Sequence, residues 1–146
     1  MGRLLRLPVN DSVLPKMGRL AQGPMTMRLL PGEELVGSLS IDVAETDPTL
    51  LLVSRKGQLT RIDLTPLRRC QRGDLGIMAV VLSADEDSVA GLCSGDSLAG
   101  IVTDQKRHGR LDAGAVDLTA AGQSWGNQLD LNSKEQVFSV VALKTS

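Results

Sequence analysis

The chain has no tyrosine, and its 146 residues hold one phenylalanine and one tryptophan. Without Tyr there is no tyrosyl nucleophile, no Tyr acid or base and no Tyr platform for stacking bases. The core must come from Leu, Val, Ile, Ala and Met. With 42% apolar residues and charges of both signs, the chain can build one globular domain. Histidine is nearly absent too. His108 stands alone in Lys106-Arg107-His108, so neither a multi-His metal site nor a Ser/His/Asp set can be assembled. Cys70 and Cys93 have neither CxxC spacing nor a nearby His, and each reads as a buried or half-buried thiol. No apolar run approaches the roughly 18 residues that a membrane span needs, and no signal peptide is evident. A cytoplasmic, non-membrane location is the default expectation. The acidic turn Asp85-Glu86-Asp87 lacks the spacing of a calcium loop, and no glycine loop carries the Gly-Lys-Ser/Thr of a phosphate cradle. The expectation is therefore no metal, no cofactor and no enzymatic activity.

Sustained helical spacing is also missing. Residues 10–20 and 65–70 could hold a helical turn at most. Fifteen Gly and six Pro punctuate at strand-length intervals, which argues for β-hairpins. Leu50-Leu51-Leu52-Val53 reads as a buried strand, Ser54-Arg55-Lys56-Gly57 as a tight turn, and Gln58 to Leu64 as an alternating strand. Leu98 to Val102, a longer turn to His108 and Gly109-Arg110-Leu111 repeat that hairpin. Ile77 to Leu82, Val137 to Leu143 and the alternating run around Met25, Met27 and Leu29 are further strand candidates.

These signals recur at a period near fifty residues. Gly2-Arg3-Leu4-Leu5-Arg6 reappears as Gly57-Gln58-Leu59-Thr60-Arg61, and a weaker third copy starts at Gly109. In that alignment Ala113 takes the place of Arg6 and Arg61. Each copy leads to a Gly-rich loop: residues 17–23, 71–76 and 121–126. Repetition of this kind marks blades or solenoid units. The expected division is a single domain, 1–146, with blades near 1–45, 46–95 and 96–146. The first copy has only Met1 in front of its hairpin glycine. Its missing strand leaves an open edge, so that the chain closes on itself, pairs with a second copy or is a piece of something longer.

Net charge is −1, yet residues 1–73 carry eleven Lys/Arg against seven Asp/Glu, and residues 74–146 five against ten. The first half is the one a polyanion would meet. The candidate phosphate contacts are Arg3, Arg6, Arg19, Arg55, Lys56, Arg61, Arg68, Arg69, Arg72, Lys106, Arg107 and Arg110, with Lys16 and Arg28 nearby. Arg6, Arg61, Arg68, Arg69 and Arg72 lead that set. A spaced row of cations releases counterion from each phosphate it neutralises. The same residues could equally form a solvated face of scattered arginines. Trp125, in its glycine loop, reads as a packing anchor.

Leu51 to Arg61, followed by Leu64-Thr65-Pro66-Leu67-Arg68-Arg69, resembles the repeat of the C-terminal domain of the DNA gyrase A subunit and of topoisomerase IV. Gln71-Arg72-Gly73-Asp74-Leu75-Gly76 is similar to a degenerate form of that family's basic box, with Asp74 where a neutral Gly is expected. Gly2 to Val9 and Pro31 to Val36 fit the same repeat. The resemblance implies an all-β β-pinwheel, a propeller-like disc of four-stranded blades, here with about three blades that dimerisation could complete. It implies a non-catalytic module that binds or wraps double-stranded DNA and assists topology change, with topoisomerase subunits as possible partners. The alternative is a protein-interaction disc that has lost DNA wrapping, in keeping with an isoelectric point near 5.8 and the eroded box.

Overall fold

A computed structural model describes residues 2–82 and 86–143. Met1 and Asp85 of the acidic turn lie outside the described residues. The strands are β1 (Gly2–Leu4), β2 (Thr49–Ser54), β3 (Gln58–Asp63), β4 (Ile77–Val80), β5 (Val89–Ser94), β6 (Leu98–Thr103), β7 (His108–Asp112), β8 (Leu118–Thr119), β9 (Asn127–Gln128) and β10 (Val137–Leu143). Among the described residues the only helix is a single 3-10 turn, Ala113–Ala115. The all-β expectation holds.

Two sheets share one plan. In the first, β5 flanks the β2–β3 hairpin in the order β5-β2-β3; in the second, β10 flanks the β6–β7 hairpin in the order β10-β6-β7. Thr49 faces Asp63 and Val53 faces Leu59, as Leu98 faces Asp112 and Val102 faces His108. The two hairpins are thus related by a shift of 49 residues. This register corrects the third copy. Its hairpin-turn glycine is replaced by Lys106, whose φ of 62° matches the left-handed φ of 83° at Gly57. Arg110 faces Gly100 as Arg61 faces Leu51, so Arg110, and not Ala113, is the counterpart of Arg61.

The next strand along the chain does not join its own hairpin. It crosses back to the preceding copy: β4 pairs β1, with Leu4 opposite Ile77, and β9 pairs β3, with Leu59 opposite Asn127. Gly76 allows the first crossing. Its φ is +77°, and a Cβ there would stand 2.5 Å from the Leu4 carbonyl oxygen, so only glycine fits. The same reciprocal pair of backbone bonds then locks the second and third glycine loops. Gly73 N donates to Thr26 O and Arg28 N to Asp74 O; one copy later, Gly122 N donates to Ala79 O and Val81 N to Gln123 O.

The central sheet is covered on both sides. Leu51, Val53, Leu59 and Cys93 pack on Ala99, Ile101, Ala113, Val116 and Val137. Leu50, Leu52, Ile62 and Leu64 pack with Ala79 and Val80 against Leu4, Ile41 and Trp125. Two buried faces explain why β2 is an unbroken Leu/Val run and does not alternate. Each fully buried Leu, Val or Ile contributes about 1.5–3 kcal/mol. Residues 9–47 behave differently: no strand forms there, and the Met25–Leu29 run expected to alternate as a strand is irregular. Within them Asn10 caps one turn, taking bonds from the backbone N–H groups of Ser12 and Val13.

Candidate nucleic-acid interface

Arg3, Arg6, Arg61 and Arg107 are tied to partners inside the fold. Arg3 forms an ion pair with Glu33 and also donates to the carbonyls of Leu75 and Arg28. The pair holds the Glu33 carboxyl below the ordinary carboxylate range, chiefly through the Arg3 hydrogen bond. Arg6 Nη1 donates to the carbonyls of Leu64 (2.5 Å) and Leu67 (3.1 Å). Arg61 Nη1 donates to the Gly95 carbonyl at 3.4 Å, while its Nε is buried without a partner. Arg6 and Arg61 are equivalent in register, as expected. Both are half-buried and bond backbone carbonyls, Arg6 those of the next copy and Arg61 that of Gly95 at the end of its own, instead of standing out toward a ligand. Arg107 Nη1 meets Glu135 at 2.6 Å.

Glu135 is the group that sequence reading missed. It is buried, and it accepts from Thr103 Oγ1 (2.5 Å), Arg107 Nη1 and the Asn132 backbone N–H (2.7 Å). Those bonds, led by the Thr103 hydroxyl, hold its carboxyl below the ordinary range. No motif signals it, because its side-chain partners, Thr103 and Arg107, lie about thirty residues away in sequence.

The remaining candidates, Arg19, Arg55, Lys56, Arg68, Arg69, Arg72, Lys106 and Arg110, are all exposed, as are Lys16 and Arg28. Three of them share one fixed loop, residues 64–74. Asp63 Oδ1 accepts from Thr65 N at its start, Cys70 N donates to Arg6 O in its middle, and Asp74 Oδ2 accepts from Gln71 N at its end. Asp74, the departure from the basic box, is thus a turn cap. Arg72 reaches the Val13 carbonyl at 3.2 Å and is otherwise open to solvent, with Arg68 and Arg69 exposed beside the buried Cys70. The hairpin turn carrying Arg55 and Lys56 is set by two acceptors. Asp87 Oδ1 takes the Lys56 backbone N–H and Ser88 O takes that of Arg55. Asp87 of the acidic turn, with Ser88 after it, therefore holds a basic hairpin in place.

The other chemistry-bearing residues are structural. Cys70 and Cys93 are buried free thiols, and burial pushes the Cys93 thiol up. Trp125 is half-buried against the second core cluster, as a packing anchor should be. His108 is exposed at the start of β7. No cluster of three His, Cys, Asp or Glu side chains able to hold a metal occurs among the described residues. Among the described residues no helix is long and apolar enough to cross a membrane.

The fold matches solved structures. Over 92% of its length the chain superposes on the C-terminal domain of DNA topoisomerase IV, with a TM-score of 0.67 and 14% identity. Over 64% it superposes on the DNA gyrase A C-terminal domain, with a TM-score of 0.57 and 24% identity. It spans 38% and 33% of those two chains. No protein-family model matches the sequence, and neither does any curated protein. The chain therefore has the β-pinwheel architecture of those domains, and it covers about a third of their length.

Proposed function

We propose that this chain is a non-catalytic, duplex DNA-binding relative of the topoisomerase C-terminal domains whose fold it shares. Its contact surface would center on Arg68, Arg69 and Arg72, with Arg55, Lys56 and Arg19 extending it. The observation that carries this reading is the 64–74 loop: three exposed guanidiniums on backbone fixed at both ends and in the middle. Cations on fixed backbone meet phosphates at low ordering cost. No base-edge reader stands out among them, so recognition would rest on charge and DNA shape. Wrapping of DNA and action beside a topoisomerase's other subunits belong to the same proposal.

The test is a salt titration of binding to plain duplex DNA. Arg68, Arg69 and Arg72 changed together to Ala should weaken binding at least tenfold and lower the log–log salt slope by about 2 to 3, near 0.9 for each phosphate no longer neutralised. An unchanged slope overturns the assignment. Absence of any binding by the wild type at low salt favors the protein-interaction alternative.

A further inference from the structure

Each described copy prepares a docking place for the next. β1 receives β4 and β3 receives β9, while Arg6 reaches across to carbonyls of the adjoining copy. β7 is the third member of this series. Its outer edge has no strand partner among the described residues. Arg110, the counterpart of Arg6 and Arg61, is exposed and makes no hydrogen bond or ion pair with another described residue.

The complementary piece lies at the other end of the sheet array. Asn10 caps its turn through Ser12 N as Asp63 does through Thr65 N and Asp112 through Gly114 N. Thr26 and Arg28 make the backbone bonds that Ala79 and Val81 make one copy later. Residues 10–28 thus occupy the place of residues 63–81, which include the crossing strand β4. In this first copy that segment crosses to nothing among the described residues. Several of its apolar side chains are left in solvent: Leu20 is 98% exposed, with Met17 and Met25 also exposed, whereas Leu64 and Cys70 in the corresponding stretch are buried.

We infer that two copies of this chain associate head to tail, residues 10–28 of one docking on the β7 edge and Arg110 of the other. The register follows from the earlier copies. His108 should face Pro24 of the second copy, as Leu59 faces Asn127 and Leu4 faces Ile77. A proline is tolerated on such an edge if its nitrogen points away from the ladder. Arg110 should reach the turn that Asn10 caps. The contact is heterologous, so it closes a ring or propagates, as the rotation dictates.

Light scattering across a concentration series, on the full chain, tests this. The wild type should shift from monomer to larger species as concentration rises, and Arg110→Glu should raise the concentration needed at least tenfold without changing the circular dichroism. Mixed Pro24→Cys and His108→Cys chains should form the unlike disulfide on mild oxidation, since facing strand residues meet disulfide geometry. A strict monomer at every concentration overturns the inference. So does cross-linking only between like positions. DNA binding by a monomer would leave the DNA-binding function standing, so the two readings fail separately.

Discussion

Residues 2–47 and residues 49–94 carry the same motif, yet only the second set becomes a sheet. In the second, β2 lies between β3 and β5, and both faces of the sheet are buried by neighboring copies. In the first, the hairpin glycine starts only a short strand paired to β4, and residues 9–47 stay irregular and mostly exposed. The difference teaches that the repeat is not self-sufficient. A strand needs a partner on each edge and a neighbor on each face before its backbone entropy is offset.

Truncation at the center of the second copy is the strongest way to sharpen that contrast. Ile62 is fully buried, and Ile62→Ala should lower unfolding free energy by about 2 to 5 kcal/mol, read by urea denaturation. A smaller loss comes from Gly57→Ala. Gly57 has φ +83°, and a Cβ would sit 2.7 Å from the Leu131 side chain. The cost should be about 1 to 3 kcal/mol, and Lys106→Gly, at the equivalent turn of the third copy, should move stability the opposite way. Acid sensitivity comes next. The Glu135 carboxyl is depressed in the fold, so its stabilization is present above its unfolded value, about 4.3, and is lost as pH falls through the folded one. Glu135→Gln should flatten stability against pH in that acid window; an unchanged acid limb would remove the assignment. The smallest effect belongs to the first copy. Leu20→Ser in dilute solution should change stability by no more than about 0.5 kcal/mol, since Leu20 has no core to leave. A loss like that of Ile62 would break the comparison.

Much of the fold was legible. Two hairpin strands with Gly57 in the turn between them, the aliphatic core and the glycine loops all appear in the spacing of Gly, Leu and Val. The third copy was misaligned because Gly109 resembles a turn glycine, whereas the turn that exists uses Lys106 at positive φ. The strand expected around Met25 failed for a different reason: alternation predicts a strand only where an edge is there to receive it. The candidate site was legible as a set of cations, but not in which of them are free. Arg3 and Arg107 look like Arg68 and Arg69 in sequence, yet their carboxylate partners, Glu33 and Glu135, lie about thirty residues along the chain.

By itself, the order of residues determined the β class, the near-fifty-residue period and the uneven charge, because these depend on local turn chemistry and on counts. Which strand crosses to which neighbor, and which arginines are consumed as ties, was decided only in three dimensions. Those outcomes depend on pairings distant along the chain, where a carbonyl or carboxylate far off in sequence competes with water for each guanidinium.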